Sequence, residues 1–203
     1  MRMNVSSACA SALALLLAAT AAFAQQTTVR IRGDIDSIDG HTLHVTSRSG
    51  EHMTVTLAGD TIVTAIAPSS LEAIKPGTYI GTAAMPQPDG KLRALEVQVF
   101  PENLRGVGEG SRPFDLRPGS TMTNATVGNV VGTEGRELTV TWQGQKAIVD
   151  VPPDAPVITY EPGTMAMLTP GAHILIFGAT KAADGTLSTN RVSVGKNGLV
   201  PPM

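Results

Sequence analysis

The sequence predicts an all-β protein of two tandem five-stranded barrels, built by internal duplication, each carrying a short helical turn. Three observations carry the prediction. Stretches about 95 residues apart resemble one another along most of the chain. Apolar residues alternate with polar ones at period two, the mark of half-buried strands. A short helical segment falls between the third and fourth strand stretches of each copy.

The repeat is clearest where Gly33-to-Val45, GDIDSIDGHTLHV, is set against Gly128-to-Val140, GNVVGTEGRELTV, at an offset of 95. At 94, Asp60-Thr61-Ile62-Val63 meets Asp154-Ala155-Pro156-Val157, and LEAIKPGTYI meets MAMLTPGAHI. At 95 again, DGKLRALEVQV meets DGTLSTNRVSV. In the first copy the strands are expected at Val29–Ser37, Thr42–Ser47, Glu51–Leu57, Tyr79–Met85 and Leu92–Phe100. Asp39-Gly40 turns the first into the second. Arg48-Ser49-Gly50 fits a three-residue hairpin with Gly50 in the left-handed position, and Gln143-Gly144 does the same work with two residues in the second copy, setting Trp142 opposite Gln145. PSSLEAIKPG then reads as one helical turn, capped by Ser69 or Ser70, with Leu71 and Ile74 inward and Pro76-Gly77 as the stop. Met165, Leu168 and Pro170-Gly171 hold those places in the second copy. Five strands with a helical turn between the third and fourth is the element order of the OB-fold barrel. A small β-sandwich or SH3-like barrel fits the same string.

The motifs G-x-I-x-S-x-D-G-x-T-L, L-x-x-I-K-P-G-x-Y and D-G-x-L-R-A-L-E-V, joined by GEGSRPFDLRPGSTMTNATV, resemble a group of bacterial exported proteins of unknown function with tandem OB-like domains. The resemblance implies fold and compartment and brings no catalytic residues. Such proteins are sometimes labelled metal transporter permeases, a label at odds with the absence of any sequence stretch apolar and long enough for a spanning helix.

Compartment follows from the start of the chain. Arg2, the apolar run Ala12–Ala22 and Ala22-Phe23-Ala24 read as an export leader over residues 1–24, cleaved before Gln25. The one cysteine, Cys9, goes with it, so packing rather than disulfides must stabilise the rest. The remaining chain divides into a first OB-like repeat over 25–100, an ordered connector over 101–124 and a second repeat over 125–203. Its location is periplasmic or secreted. Loss of Arg2 from 15 Lys+Arg leaves 14 against 17 Asp+Glu. A mildly acidic chain with few aromatics lacks the basic, stacking surface that single-stranded nucleic acid requires. VRIR, with Arg30 and Arg32 on one strand face, reads as a solvated edge.

Candidate sites are few. Leu43 and Val45 point inward, so His44 points out. The hairpin sets His44 opposite Thr54 and His52 opposite Thr46, making the two histidines diagonal neighbours on the outer face at about 7–8 Å. They are the candidate metal ligands, with Glu51 and Asp36 nearby in sequence, although transition-metal sites usually take three or four ligands. Ser111 and His173 have no triad context, so no enzyme and no cofactor is expected. The connector is the main candidate. It is long and rich in Gly and Pro, yet Phe114 and Leu116 share one parity and can press on a surface, unlike the side chains of a flexible tether. Asp115 is expected to pair with Arg112 or Arg117. Arg105, Arg112, Phe114, Asp115 and Arg117, with the Ser120 and Thr121 hydroxyls, form the expected binding groove. The sequence thus predicts a non-catalytic exported binding or scaffolding protein for an unknown protein or small ligand of the cell envelope. The alternative is a periplasmic metal-handling protein using His44 and His52.

Overall fold

The structure is a computed structural model and describes residues 27–131 and 136–203. The expected export leader and Cys9 lie outside the described residues. The strands are β1 Thr27–Asp39, β2 Thr42–Ser47, β3 His52–Pro68, β4 Tyr79–Pro86, β5 Leu92–Val99, β6 Gly110–Pro113, β7 Thr121–Val131, β8 Glu137–Trp142, β9 Gln145–Asp150, β10 Val157–Pro162, β11 His173–Lys181 and β12 Leu187–Gly195. All helix among the described residues is single 3₁₀ turns, including Leu71–Ala73 and Met165–Met167. No helix of the described residues is long and apolar enough to cross a membrane.

Local chemistry explains the elements. Gly50 takes φ +83°, and Gln143 and Gly144 both take positive φ, as a two-residue hairpin demands. That turn places Trp142 opposite Gln145. Ile74 is buried after the first 3₁₀ turn, and Leu168 after the second. Met165, expected inward, is instead exposed, and Met167 packs on the core. Ser70 holds the cap position without a side-chain cap bond. The third strand does not stop at Leu57. The β-branched run Thr61-Ile62-Val63-Thr64 carries β3 on to Pro68. Its counterpart breaks into β9 and β10, because Pro152, Pro153 and Pro156 have no amide to donate to a ladder.

The pairings close a five-stranded barrel. β1 runs antiparallel to β2 and β11, β2 to β3, and β11 to β12, while β12 returns parallel to β3. Its interior is Ile31, Ile35, Leu43, Val45, Val55, Leu57, Ile174, Ile176, Val192 and Val194. The barrel therefore does not close within residues 25–100. It takes its last two strands from the far end of the chain. β4 and β5 pair instead with the later strands, in the cycle β5-β4-β7-β8-β9, and β9 meets β5 through Leu92↔Val149 and Arg93↔Asp150.

The two sets of ladders can be set against each other pair by pair. Val192↔Val63 matches Val97↔Val157, and Leu187↔Val55 matches Leu92↔Val149. Ile35↔Val45 matches Val127↔Val140, and Gly33↔Ile174 matches Ala125↔Ile80. With the ladders matched in this way Gly33 falls against Ala125, an offset of 92, whereas the sequence alignment sets it against Gly128 at 95. The cause is a longer first connection: Asp39 pairs with Thr42, but Val131 pairs with Glu137. Between the two sets, β3 runs antiparallel to β10, and Ile66 faces its own counterpart Tyr160.

The segment after Phe100 is an ordered strap. β6 pairs with the start of β7, from Gly110↔Asn124 to Pro113↔Thr121. The tip closes through the Phe114 amide donating to the Ser120 carbonyl at 2.9 Å and the Ser120 amide donating to the Arg117 carbonyl at 3.0 Å. Beneath it lies a separate apolar cluster of Ile66, Ile158, Tyr160, Leu175 and Met203, against which Phe100, Leu104, Phe114 and Leu199 pack. This cluster joins residues of β3, β10 and β11 to the strap.

Candidate functional site

Period-two alternation puts Arg30 and Arg32 on the same face of β1, and both reach across to the strap. Arg32 donates from Nη2 and Nη1 to the two Asp115 carboxylate oxygens at 2.7 and 3.2 Å, and Arg30 donates to the same carboxylate. The hydrogen bond from Arg32 holds the Asp115 carboxyl below its usual range. The Arg30 guanidinium also lies 4.6 Å from the Phe114 ring centroid and 5.7 Å from that of Phe177. Two expectations are corrected here. Asp115 pairs with β1 and not with Arg112 or Arg117, and VRIR is a clasp for the strap, not a solvated edge. Local sequence distance misled in both cases, because the partners lie over 80 residues apart.

The clasped strap roofs a cavity of about 460 Å³. Phe100, Phe114, Phe177 and Tyr160 contribute aromatic wall, Leu175, Val192 and Met122 aliphatic wall. Arg30, Arg112 and Arg191 are its charged lining, and no carboxylate among the described residues lines it. Val107 and Phe177 also line it while remaining 52% and 44% exposed, so the cavity opens to solvent at that edge.

A buried polar chain lies behind the wall. The Tyr160 hydroxyl donates to Gln98 Oε1 at 2.6 Å, and Gln98 Nε2 donates to Glu96 Oε1 at 2.8 Å, which also accepts the Ala83 amide at 3.2 Å. Glu96 is fully buried and its Oε2 has no hydrogen-bond partner. Burial pushes its carboxyl up to about 7, against the opposing pull of the Gln98 and Ala83 hydrogen bonds. Burial likewise raises Tyr160. Two more buried atoms beside the cavity lack partners, Asn124 Oδ1 and Arg30 Nε.

The predicted groove residues divide among several tasks. Arg112 and Phe114 line the cavity. Asp115 locks the strap. Arg105 pairs with Glu102 at 2.6 Å and donates to the Gly77 carbonyl at 2.9 Å, tying the strap to the loop before β4. Arg117 is exposed at the strap tip. The Ser120 hydroxyl is used within that tip, 2.7 Å from the Arg117 carbonyl and 3.0 Å from that of Phe114. Ser111 pairs with Thr123, and His173 with Asp34. His44 faces Thr54 and His52 faces Thr46, as the hairpin predicts. Thr46 lies within hydrogen-bonding distance of His52 Nδ1, at 3.0 Å, and donates to Asp36 at 2.7 Å. Among the described residues no group of three or more His, Cys, Asp and Glu side chains is placed to share a metal ion.

Sequence reasoning did not find Gln98, Tyr160, Phe177 and Arg191. Their only signal is polar or aromatic character on strand positions opposite the barrel-facing ones, which in an isolated barrel would meet water. No family model, curated protein or solved structure matches this chain.

Proposed function

We propose that this is an exported, non-catalytic binding protein whose ligand seat is the cavity beneath the strap. Its framework is a duplicated OB-like unit in which each barrel combines the first three strands of one copy with the last two of the other. The matched ladders support the duplication, and the leader-like residues 1–24 support export. The observation that carries the binding reading is the cavity itself. At about 460 Å³, with aromatic and aliphatic walls and a few polar groups, it has the size and composition of a small-molecule site. The strap that roofs it is held by charge-assisted hydrogen bonds from Arg32 and Arg30, so the seat is formed before any ligand arrives.

Gly178 offers a direct test, because it lines the cavity and a Cβ there meets nothing within 4 Å. Gly178→Trp should fill the cavity and leave the fold intact. Thermal unfolding is measured in low-mass fractions of an envelope extract. A fraction that raises the midpoint of wild type but not of Gly178→Trp supports the reading. If no fraction stabilises wild type, or both proteins respond alike, the cavity is not the seat.

A further inference from the structure

We infer that the seat takes an organic anion, an apolar or aromatic body carrying one acidic head group. The inference rests on the binding reading above and adds the class of ligand.

The charge distribution points first to an anion. Arg30, Arg112 and Arg191 line the cavity from β1, the strap and β12, and no Asp or Glu among the described residues lines it. Asp115 is the nearest committed counter-charge, and it is shared between Arg30 and Arg32. The strap's other carboxylates are engaged elsewhere, Glu102 with Arg105 and Glu109 with the Gln143 amide. Arg112 has a carbonyl partner, Gly108, and Arg191 has no ion pair or side-chain hydrogen bond among the described residues. Arg30 is answered by Asp115, but Arg112 and Arg191 line the same cavity with no ion pair among the described residues, and a bound anion offsets that excess of positive charge.

The apolar part of the ligand is required by the apolar lining. Phe100, Leu175 and Val192 offer no polar group to a fully hydrated ion, so inorganic phosphate or sulfate would leave that surface uncovered. The aligned stretch of the other repeat carries the opposite charge at this place. Arg191 matches Glu96 in the aligned segments DGTLSTNRVSV and DGKLRALEVQV. Glu96 is sealed inside, whereas Arg191 is exposed.

The test uses two probes with the same rings, 1-anilinonaphthalene-8-sulfonate and the uncharged N-phenyl-1-naphthylamine. Each is titrated by fluorescence into wild type, Arg191→Gln, Arg112→Gln and Gly178→Trp, with circular dichroism to verify folding. The sulfonate should bind wild type with one-to-one stoichiometry and about a hundredfold tighter than the neutral probe, about tenfold from each of two charge-assisted contacts. Each arginine substitution should weaken the sulfonate about tenfold and leave the neutral probe unchanged. If the neutral probe binds as tightly, or both arginine variants keep full sulfonate affinity, the anion inference is overturned while the cavity remains a seat. If neither probe binds wild type, or Gly178→Trp binds both as wild type does, the seat and the inference fall together.

Discussion

Glu96 links the buried polar chain to a pH-dependent stability that can be measured. In the unfolded chain its carboxyl titrates near 4.5, and in the folded protein near 7. Below the lower value both states are protonated and Glu96 has no effect. Between the two values the folded state holds a proton that the unfolded state has released. Stability therefore falls as pH rises through this window, and stays reduced above it. At 1.36 kcal/mol per pH unit the loss is about 3 kcal/mol. Glu96→Gln should remove it. The amide oxygen can keep the bonds from Gln98 Nε2 and the Ala83 amide, while its nitrogen takes the place of Oε2, which has no partner to lose. Urea unfolding of both proteins at pH 4.5, 6 and 8 tests this. The difference between them cancels contributions from groups that both share. The two should be nearly equal at pH 4.5, with the Gln variant more stable by about 3 kcal/mol at pH 8. A constant difference across this range, or a wild type that gains on the variant as pH rises, would refute the reasoning.

Other predictions address the strap, the strand exchange and one tight glycine. Phe114→Ala should cost about 2 kcal/mol, since the ring is only part buried. Endoproteinase Asp-N should then cut before Asp115 in the variant while sparing wild type; equal cutting rates would mean the strap is not anchored by this ring. Residues 27–100 expressed alone lack β11 and β12 and should be unfolded or self-associated by size exclusion and circular dichroism, with residues 101–203 restoring the fold in trans. A cooperatively folded monomer from 27–100 would contradict the exchange. At Gly33 a Cβ would lie 2.2 Å from the Thr46 carbonyl oxygen, so Gly33→Ala should lose about 1–3 kcal/mol in chemical denaturation. Gly59→Ala, with nothing within 4 Å, should be close to neutral; equal effects at the two sites would discount the close approach.

Much of the fold is legible in the sequence because it rests on local rules. Alternation at Leu43, Val45, Val55 and Leu57 marks strands whichever partners they take, and Gly50 and Gln143-Gly144 fix hairpins through backbone dihedrals. The same rules give the outward aim of His44 and His52. The sequence also marks the connector 101–124 as more than a tether, since Phe114 and Leu116 are apolar side chains that a free linker does not need. Pairing between distant strands is another matter. An antiparallel edge offers the same amides and carbonyls to β4-β5 as to β11-β12, and both pairs of strands carry the same repeat motif. Nothing in the string says which pair closes on β1–β3. The tertiary structure decides it, by running β3 on to Pro68 against β10 and carrying the chain across to the other strands. That decision also makes the site. Arg30 meets Asp115, and Tyr160 meets Gln98, only because segments over 60 residues apart are brought together. Sequence alone determined the strands, the turns and the strap. Tertiary structure decided which of their outer faces stay wet and which enclose a cavity, because burial of an outer face depends on what packs across it.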